Sequence, residues 1–377
     1  MGIPYPNPTL IKTVKGSFSL LTLLLIIFTS ACIDKQEILN EGTRVTIPGD
    51  DLSMAGILYG PNDPGESNPA IVVLHGWLEP GVNGADIVSI VAWHLAREGY
   101  VTLALSMRGW PDTGGRDDCG GRQPFDVVKA IQWLSSQPGV NPNRIGLLGF
   151  SQGGQVALLA AGLTPKVKAV VAFFPVTDLD RWAQTTQAPG IKDAYVPEVC
   201  AKGLGLEAKS PIYAACAINA PTLLIHGEQD TRVTMDQSLE MAKAMLNCGK
   251  KVQLQLVKGG EHMLKKGDKG WIEAWEHTKK FLAEHLKHMP PAKGTKPDTL
   301  NRNSPMQQKV PFPKKSGLFP QGKNQAIHWA FFQYCAFEKP YSYATDEFHC
   351  FQSEFPPVQR NADMPPQCPP VFDKNRL

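Results

Sequence analysis

The chain predicts an α/β fold, a mostly parallel central sheet with helices on both faces. Three observations carry this. From residue 70 onward short apolar runs alternate with helical patterns, the rhythm of a parallel sheet covered on both sides. Five of those runs, Ala70 to Leu74, Val101 to Leu105, Ile145 to Leu148, Lys168 to Phe174 and Thr222 to Ile225, are almost unbroken in apolar character, as doubly buried strands must be. The 377 residues are 42% apolar and 19% charged, enough for one sizeable domain with appendages and unlike a disordered chain.

The elements follow in order. Thr43 to Ile47 and Met54 to Tyr59 flank the turn residues Gly49-Asp50-Asp51 and predict a strand pair that adds an antiparallel edge. Ile87, Ile90, Val91 and Leu95 repeat at helical period, and Gly99 follows where a left-handed cap is needed. Val127, Val128, Ile131 and Leu134 form a second stripe, and a helix through Val156, Leu158, Leu159 and Ala161 a third. Val252, Leu254 and Leu256 alternate with Gln253 and Gln255, which predicts a strand near the sheet edge with one wetter face. A last helix carries Trp271, Trp275, Leu282 and Leu286. Residues 178–219 are longer than a crossover requires and predict a small insert after the sixth strand, over the strand C-termini.

The ends read differently. Lys12 and Lys15 precede the apolar run Phe18 to Phe28, and Thr29-Ser30-Ala31 lead into Cys32. This predicts a signal peptide over 1–31, since about 20 apolar residues are needed to span a bilayer and the run is shorter. Small residues before a cysteine resemble a bacterial lipoprotein processing site, which implies acylation of Cys32 and an exported, membrane-anchored protein facing the periplasm or cell surface; plain secretion with cleavage at the same bond and an uncleaved anchor are the alternatives. The domain is expected over 43–288, because residues 289–377 hold 14 of the 32 prolines. That extension also carries ten aromatic residues between Ala326 and Phe355, too much apolar surface to leave in water. Besides Cys32 there are seven cysteines, an odd number, so at least one stays unpaired within the chain. Cys200 with Cys216, or two of Cys335, Cys350 and Cys368, are the expected pairs for an exported protein. None forms a CxxC, so no structural metal is expected. The net charge of +3 is spread out, with no basic run of five or more, and nucleic acid is not an expected partner.

Gly149-Phe150-Ser151-Gln152-Gly153 stands between an apolar strand and a helical pattern. A sharp turn there would lift the Ser151 hydroxyl above the sheet, with small neighbours where helix packs against strand. A serine needs a base within hydrogen-bond reach. Of nine histidines, His262 lies in a loop between the last strand and the last helix, on the face where such sheets bind ligands. The base needs a carboxylate, and Asp230, just past Thr222 to Ile225, is the candidate, with Asp178 in reserve. The oxyanion donors expected are the backbone N–H groups of Gln152 and Trp77; His75 reads as a structural turn residue.

His75-Gly76, Arg108-Gly109, the GFSQGG run, Pro221 to Val233 and Glu261-His262 together resemble the α/β-hydrolase superfamily. The likeness is to the branch shared by dienelactone hydrolases and the catalytic domains of prolyl oligopeptidases, over roughly residues 43–288. Dienelactone hydrolases proper carry a cysteine nucleophile where Ser151 stands, and prolyl oligopeptidases carry a large propeller before the domain. The expected activity is therefore hydrolysis of a small carboxylic ester through a Ser-His-Asp triad, without a cofactor. A serine peptidase and a non-catalytic surface-binding lipoprotein are the alternatives.

Overall fold

The computed structural model describes residues 35–77, 81–262 and 268–288; the expected signal peptide, Cys32 and the expected extension from 289, with Cys335, Cys350 and Cys368, lie outside the described residues. The chain opens with helix α1 (Lys35–Glu41), which the sequence pattern did not signal. Its Ile38 is buried in the core, and Glu41 accepts from the Trp93 indole at 2.7 Å. Strands β1 (Thr43–Pro48) and β2 (Ser53–Tyr59) pair antiparallel, as expected. Then β3 (Asn68–Leu74), helix α2 (Gly84–Arg97), β4 (Val101–Leu105), α3 (Gln123–Ser135), β5 (Val140–Phe150), α4 (Gln152–Leu163) and β6 (Val167–Phe173) alternate. After the insert come β7 (Thr222–Gly227), α7 (Asp236–Asn247), β8 (Val252–Val257) and α8 (Lys269–Leu282).

Eight strands form one sheet in the order β1-β2-β4-β3-β5-β6-β7-β8. Strands β3 to β8 are all parallel, and β2 joins β4 antiparallel. Alternate residues of the central strands feed two separate apolar cores. Val72, Leu74, Leu103 and Leu147 pack with α3, α4 and α7 on one face; Ile71, Val73, Ala104 and Leu148 pack with α2 and α8 on the other. Two-sided burial is the physical reason those strands read as continuous apolar runs. The alternating β8 is indeed the edge strand, and its Gln253 and Gln255 lie at 2.9 and 2.7 Å from the two ring nitrogens of His277 on α8.

The structure departs from the sequence expectations at three places. In α2 the inward stripe is Val88, Val91, Ala92 and Leu95, while Ile87 is exposed: the helix is rotated from the stripe expected, because small Ala92 and Ala96 also face the sheet. The strand expected at Ile145 to Leu148 begins at Val140 and passes a register shift beside Ile145. The expected Cys200–Cys216 pair does not form. Cys119 pairs with Cys200, and Cys216 with Cys248. The first bond joins the loop after β4 to the insert, the second joins the insert's end to the end of α7; neither closure is visible in local spacing.

The insert after β6 contains α5 (Leu179–Thr185), a π-helical segment Ile191–Cys200, the single turn α6 (Gly205–Ala208) and a 3₁₀ segment Pro211–Ala217. Leu179, Trp182, Val196 and Cys200 form a small apolar cluster with Cys119 and Val233, apart from the two main cores.

Candidate active site

The strand-to-helix elbow falls at Ser151, between β5 and α4 in the middle of the sheet. Ser151 has φ 52° and ψ −117°, a conformation that costs a non-glycine residue about 1–3 kcal/mol and persists only where its surroundings hold it. Its N–H donates to the Phe173 carbonyl at 2.9 Å, and its carbonyl accepts from Gln155 N–H at 3.1 Å. The glycines on either side are required by close approach. A Cβ on Gly149 would come within 2.2 Å of the Gly153 carbonyl oxygen, and one on Gly153 within 2.4 Å of the His75 carbonyl oxygen.

The loops after β7 and β8 bring the other two residues to this point. His262 Nε2 lies 3.1 Å from Ser151 Oγ, and His262 Nδ1 lies 2.7 Å from Asp230 Oδ2. With Nδ1–H directed at the carboxylate, Nε2 is left as the acceptor facing the serine hydroxyl. Burial lowers the His262 pKa from its ordinary value, more than the adjacent Asp230 raises it. For Asp230 burial pushes upward, but the hydrogen bonds from His226 and His262 outweigh it and hold the carboxyl at about 2. Asp230 Oδ1 also accepts from the N–H groups of Arg232 and Val233, at 3.0 and 2.9 Å, so the carboxylate is fixed by its own loop. Phe174, with φ 38°, places its ring 4.6 Å from that of His262.

Asp178, the reserve carboxylate, instead caps α5, accepting from Arg181 N–H at 3.1 Å. His75 is fully buried as a turn residue: Nε2 accepts the Met107 N–H at 3.0 Å and Nδ1 lies 2.7 Å from the Gly76 carbonyl. Gln152 is the first residue of α4, where a backbone N–H has no intrahelical acceptor, so it is available beside Ser151. Trp77 follows Gly76, on which a Cβ would come within 3.2 Å of Ser151 Cβ, and its side chain is 43% exposed. Among the described residues no three His, Cys, Asp or Glu side chains cluster to hold a metal ion.

Some residues at the site had no local signal. His226 Nε2 lies 2.7 Å from the Val233 carbonyl and 3.4 Å from Asp230 Oδ2, while its Nδ1 lies 2.7 Å from Ser238 Oγ. It thus ties the Asp230 loop to Ser238; in sequence it is one more residue of a strand-end run. Asp117 and Tyr195, on two distant segments, meet the Gln152 side chain.

The model of the prolyl oligopeptidase family (Peptidase_S9) matches residues 88–289. The "Uncharacterized peptidase YtmA" of Bacillus subtilis is 26% identical over 214 residues, 54% of this chain and 78% of that protein. The "Putative carboxymethylenebutenolidase" of a Synechocystis strain is 32% identical over 165 residues, 40% of this chain and 64% of that protein. Among solved structures, a puromycin-hydrolyzing peptidase of Mycobacterium tuberculosis superposes with a TM-score of 0.58 at 21% identity, over 66% of this chain but 40% of that one. The chain belongs to the prolyl oligopeptidase family, within the serine hydrolases of the α/β-hydrolase fold.

Proposed function

We propose that this protein hydrolyses carboxylic esters through an acyl-enzyme formed on Ser151. The observation that carries the reading is the linked Ser151, His262 and Asp230, with spacings of 3.1 and 2.7 Å. In this scheme Ser151 Oγ attacks the carbonyl carbon as its proton passes to His262 Nε2, and Asp230 stabilises the imidazolium. The oxyanion is met by the N–H groups of Gln152 and Trp77. His262 returns the proton to the leaving alcohol, and water repeats the sequence to release the acid. No step calls for a cofactor.

The likeness to the carboxymethylenebutenolidase, a lactone-type ester hydrolase by its name, supports an ester substrate. A peptide substrate is the second reading, favoured by the match to most of the length of the peptidase YtmA. A fluorophosphonate probe tests the shared chemistry: it should label wild type at Ser151 and fail on His262→Ala. A panel of short-chain nitrophenyl esters beside aminoacyl and prolyl anilides then separates the readings, and dominant amide turnover would replace the first by the second. A wild type that neither labels nor turns over any of the panel would leave the non-catalytic surface protein.

We further propose export and acylation at Cys32, with the membrane as a partner through that anchor. Two disulfides among the described residues are of the kind that persists in an oxidising compartment. Incorporation of an alkynyl fatty acid, lost in Cys32→Ala, is the expected result.

A further inference from the structure

The residue after the nucleophile is gripped by its side chain. Gln152 is 4% exposed, and its Nε2 donates to Asp117 Oδ1 at 2.8 Å and to the Tyr195 hydroxyl at 3.2 Å. Tyr195 in turn donates to Asp117 Oδ2 at 2.6 Å. Asp117 also accepts the Cys119 N–H at 3.0 Å and Gln123 Nε2 at 3.1 Å. Burial raises the Tyr195 hydroxyl well above its ordinary value, with Asp117 adding to the effect; burial also raises Asp117, against the hydrogen bonds it accepts from Tyr195, Cys119 and Gln152, and the hydrogen bond runs from Tyr195 to Asp117.

These three residues come from three separate segments: Gln152 opens α4, Asp117 lies in the loop after β4, and Tyr195 in the π-helical part of the insert. The last two segments are joined covalently, because Cys119 and Cys200 form a disulfide, two residues after Asp117 and five after Tyr195. Gln155, one turn along α4, reinforces the junction: its Nε2 donates to the carbonyls of Cys119 and Lys209, at 3.0 and 2.9 Å. The Lys209 ammonium donates to the Cys200 carbonyl at 3.0 Å. Nothing in the acyl-transfer chemistry itself requires this convergence. It does meet a need of the elbow, since the strained Ser151 must be held from both sides, and the Gln152 side chain is the handle on its C-terminal side.

Resting on the serine-hydrolase reading above, we propose that Asp117 and Tyr195 are positioning residues for the Gln152 oxyanion donor, and that the Cys119–Cys200 disulfide locks them, making full activity dependent on the oxidised protein. A dithiol reductant would deliver two electrons and two protons to the two sulfurs, breaking the S–S bond to give two thiols while itself becoming a disulfide. Freed of the bond, the loop and the insert would hold Gln152 by hydrogen bonds alone. The effect belongs in kcat and in the rate of fluorophosphonate labelling, with little change in KM, because the donor acts on charge that develops in the transition state.

The test uses the full-length protein with fluorophosphonate labelling, nitrophenyl ester kinetics, and circular dichroism to verify folding. Tyr195→Phe should lower kcat and the labelling rate about tenfold with KM within about twofold, the loss expected when a hydrogen bond to a charged group is removed. Dithiothreitol should produce a similar drop in wild type, and the same drop in Cys216→Ser/Cys248→Ser, which lacks the other disulfide. It should produce no drop in Cys119→Ser/Cys200→Ser, and little further drop in Tyr195→Phe, because bond and hydroxyl act through one handle. Multiplying effects of reductant and Tyr195→Phe, or a reduced wild type as fast as the oxidised one, overturn the proposal while leaving the hydrolase reading intact. A wild type that never labels overturns both. Should Tyr195→Phe fail to fold, the reductant response of wild type against the two cysteine variants decides alone.

Discussion

His75 links the fold to pH in a way that can be measured. It is fully buried, and burial lowers its pKa from 6.5 to about 4, although the Gly76 carbonyl and Asp112 pull the other way. Its neutral ring matches its surroundings, Nδ1–H facing the Gly76 carbonyl and bare Nε2 accepting from Met107 N–H; a second proton on Nε2 would oppose donor to donor. Between pH 6.5 and 4 the unfolded chain binds a proton here that the folded chain does not. Stability is therefore present above pH 6.5 and is lost as pH falls toward 4. For a shift from 6.5 to about 4, acidifying from pH 7.5 to 5.0 removes about 2 kcal/mol through this residue alone. The perturbation is His75→Gln, which retains a donor and an acceptor but does not titrate in this range. Urea unfolding under oxidising conditions, at pH 7.5 and 5.0, gives the difference for each protein. The variant should lose about 2 kcal/mol less than wild type over that interval, whatever its stability at pH 7.5. Equal losses would show that His75 does not titrate between the two states, and the reasoning would fail.

Four more outcomes are expected. Asp230→Asn should lower kcat on the order of 10⁴-fold, because the amide favours the wrong His262 tautomer and cannot stabilise its charge; ester turnover with folding verified by circular dichroism reads it. The acid limb of kcat/KM should lie below pH 6.5, since burial lowers the His262 pKa and keeps the base neutral into mildly acidic solution. Gly153→Ala should destabilise by about 2 kcal/mol in thermal or urea unfolding and slow fluorophosphonate labelling, because its Cβ would fall 2.4 and 2.6 Å from two backbone oxygens, of His75 and Leu74. Arg108→Met should cost about 3–5 kcal/mol by leaving Asp126, 5% exposed, without the guanidinium 2.5 Å away, and adding Asp126→Leu should recover much of it.

Much of the site was legible because its parts are local. The elbow is a contiguous run, and the close approach that demands Gly149 comes from Gly153, four residues on. Asp230 and His262 each follow a strand end, and in a parallel sheet all strand ends of one polarity lie on one edge, so order and position predicted their meeting. Contacts that cross the chain without a period leave no such local mark. Ile87 matched the helical stripe, yet the sheet selected the neighbouring face with Ala92. Cys200 and Cys216 are consecutive cysteines in the chain but bond to Cys119 and Cys248 respectively.

The sequence by itself therefore determined the layered sheet, the elbow at Ser151 and the order of its two partners, since periodic burial and tight turns are written in nearby residues. Only the tertiary structure decided how those residues are held. Asp117 and Tyr195 meet the Gln152 side chain across 35 and 43 residues of chain, and polar side chains carry no periodic signal of the partner they will meet once the chain is packed.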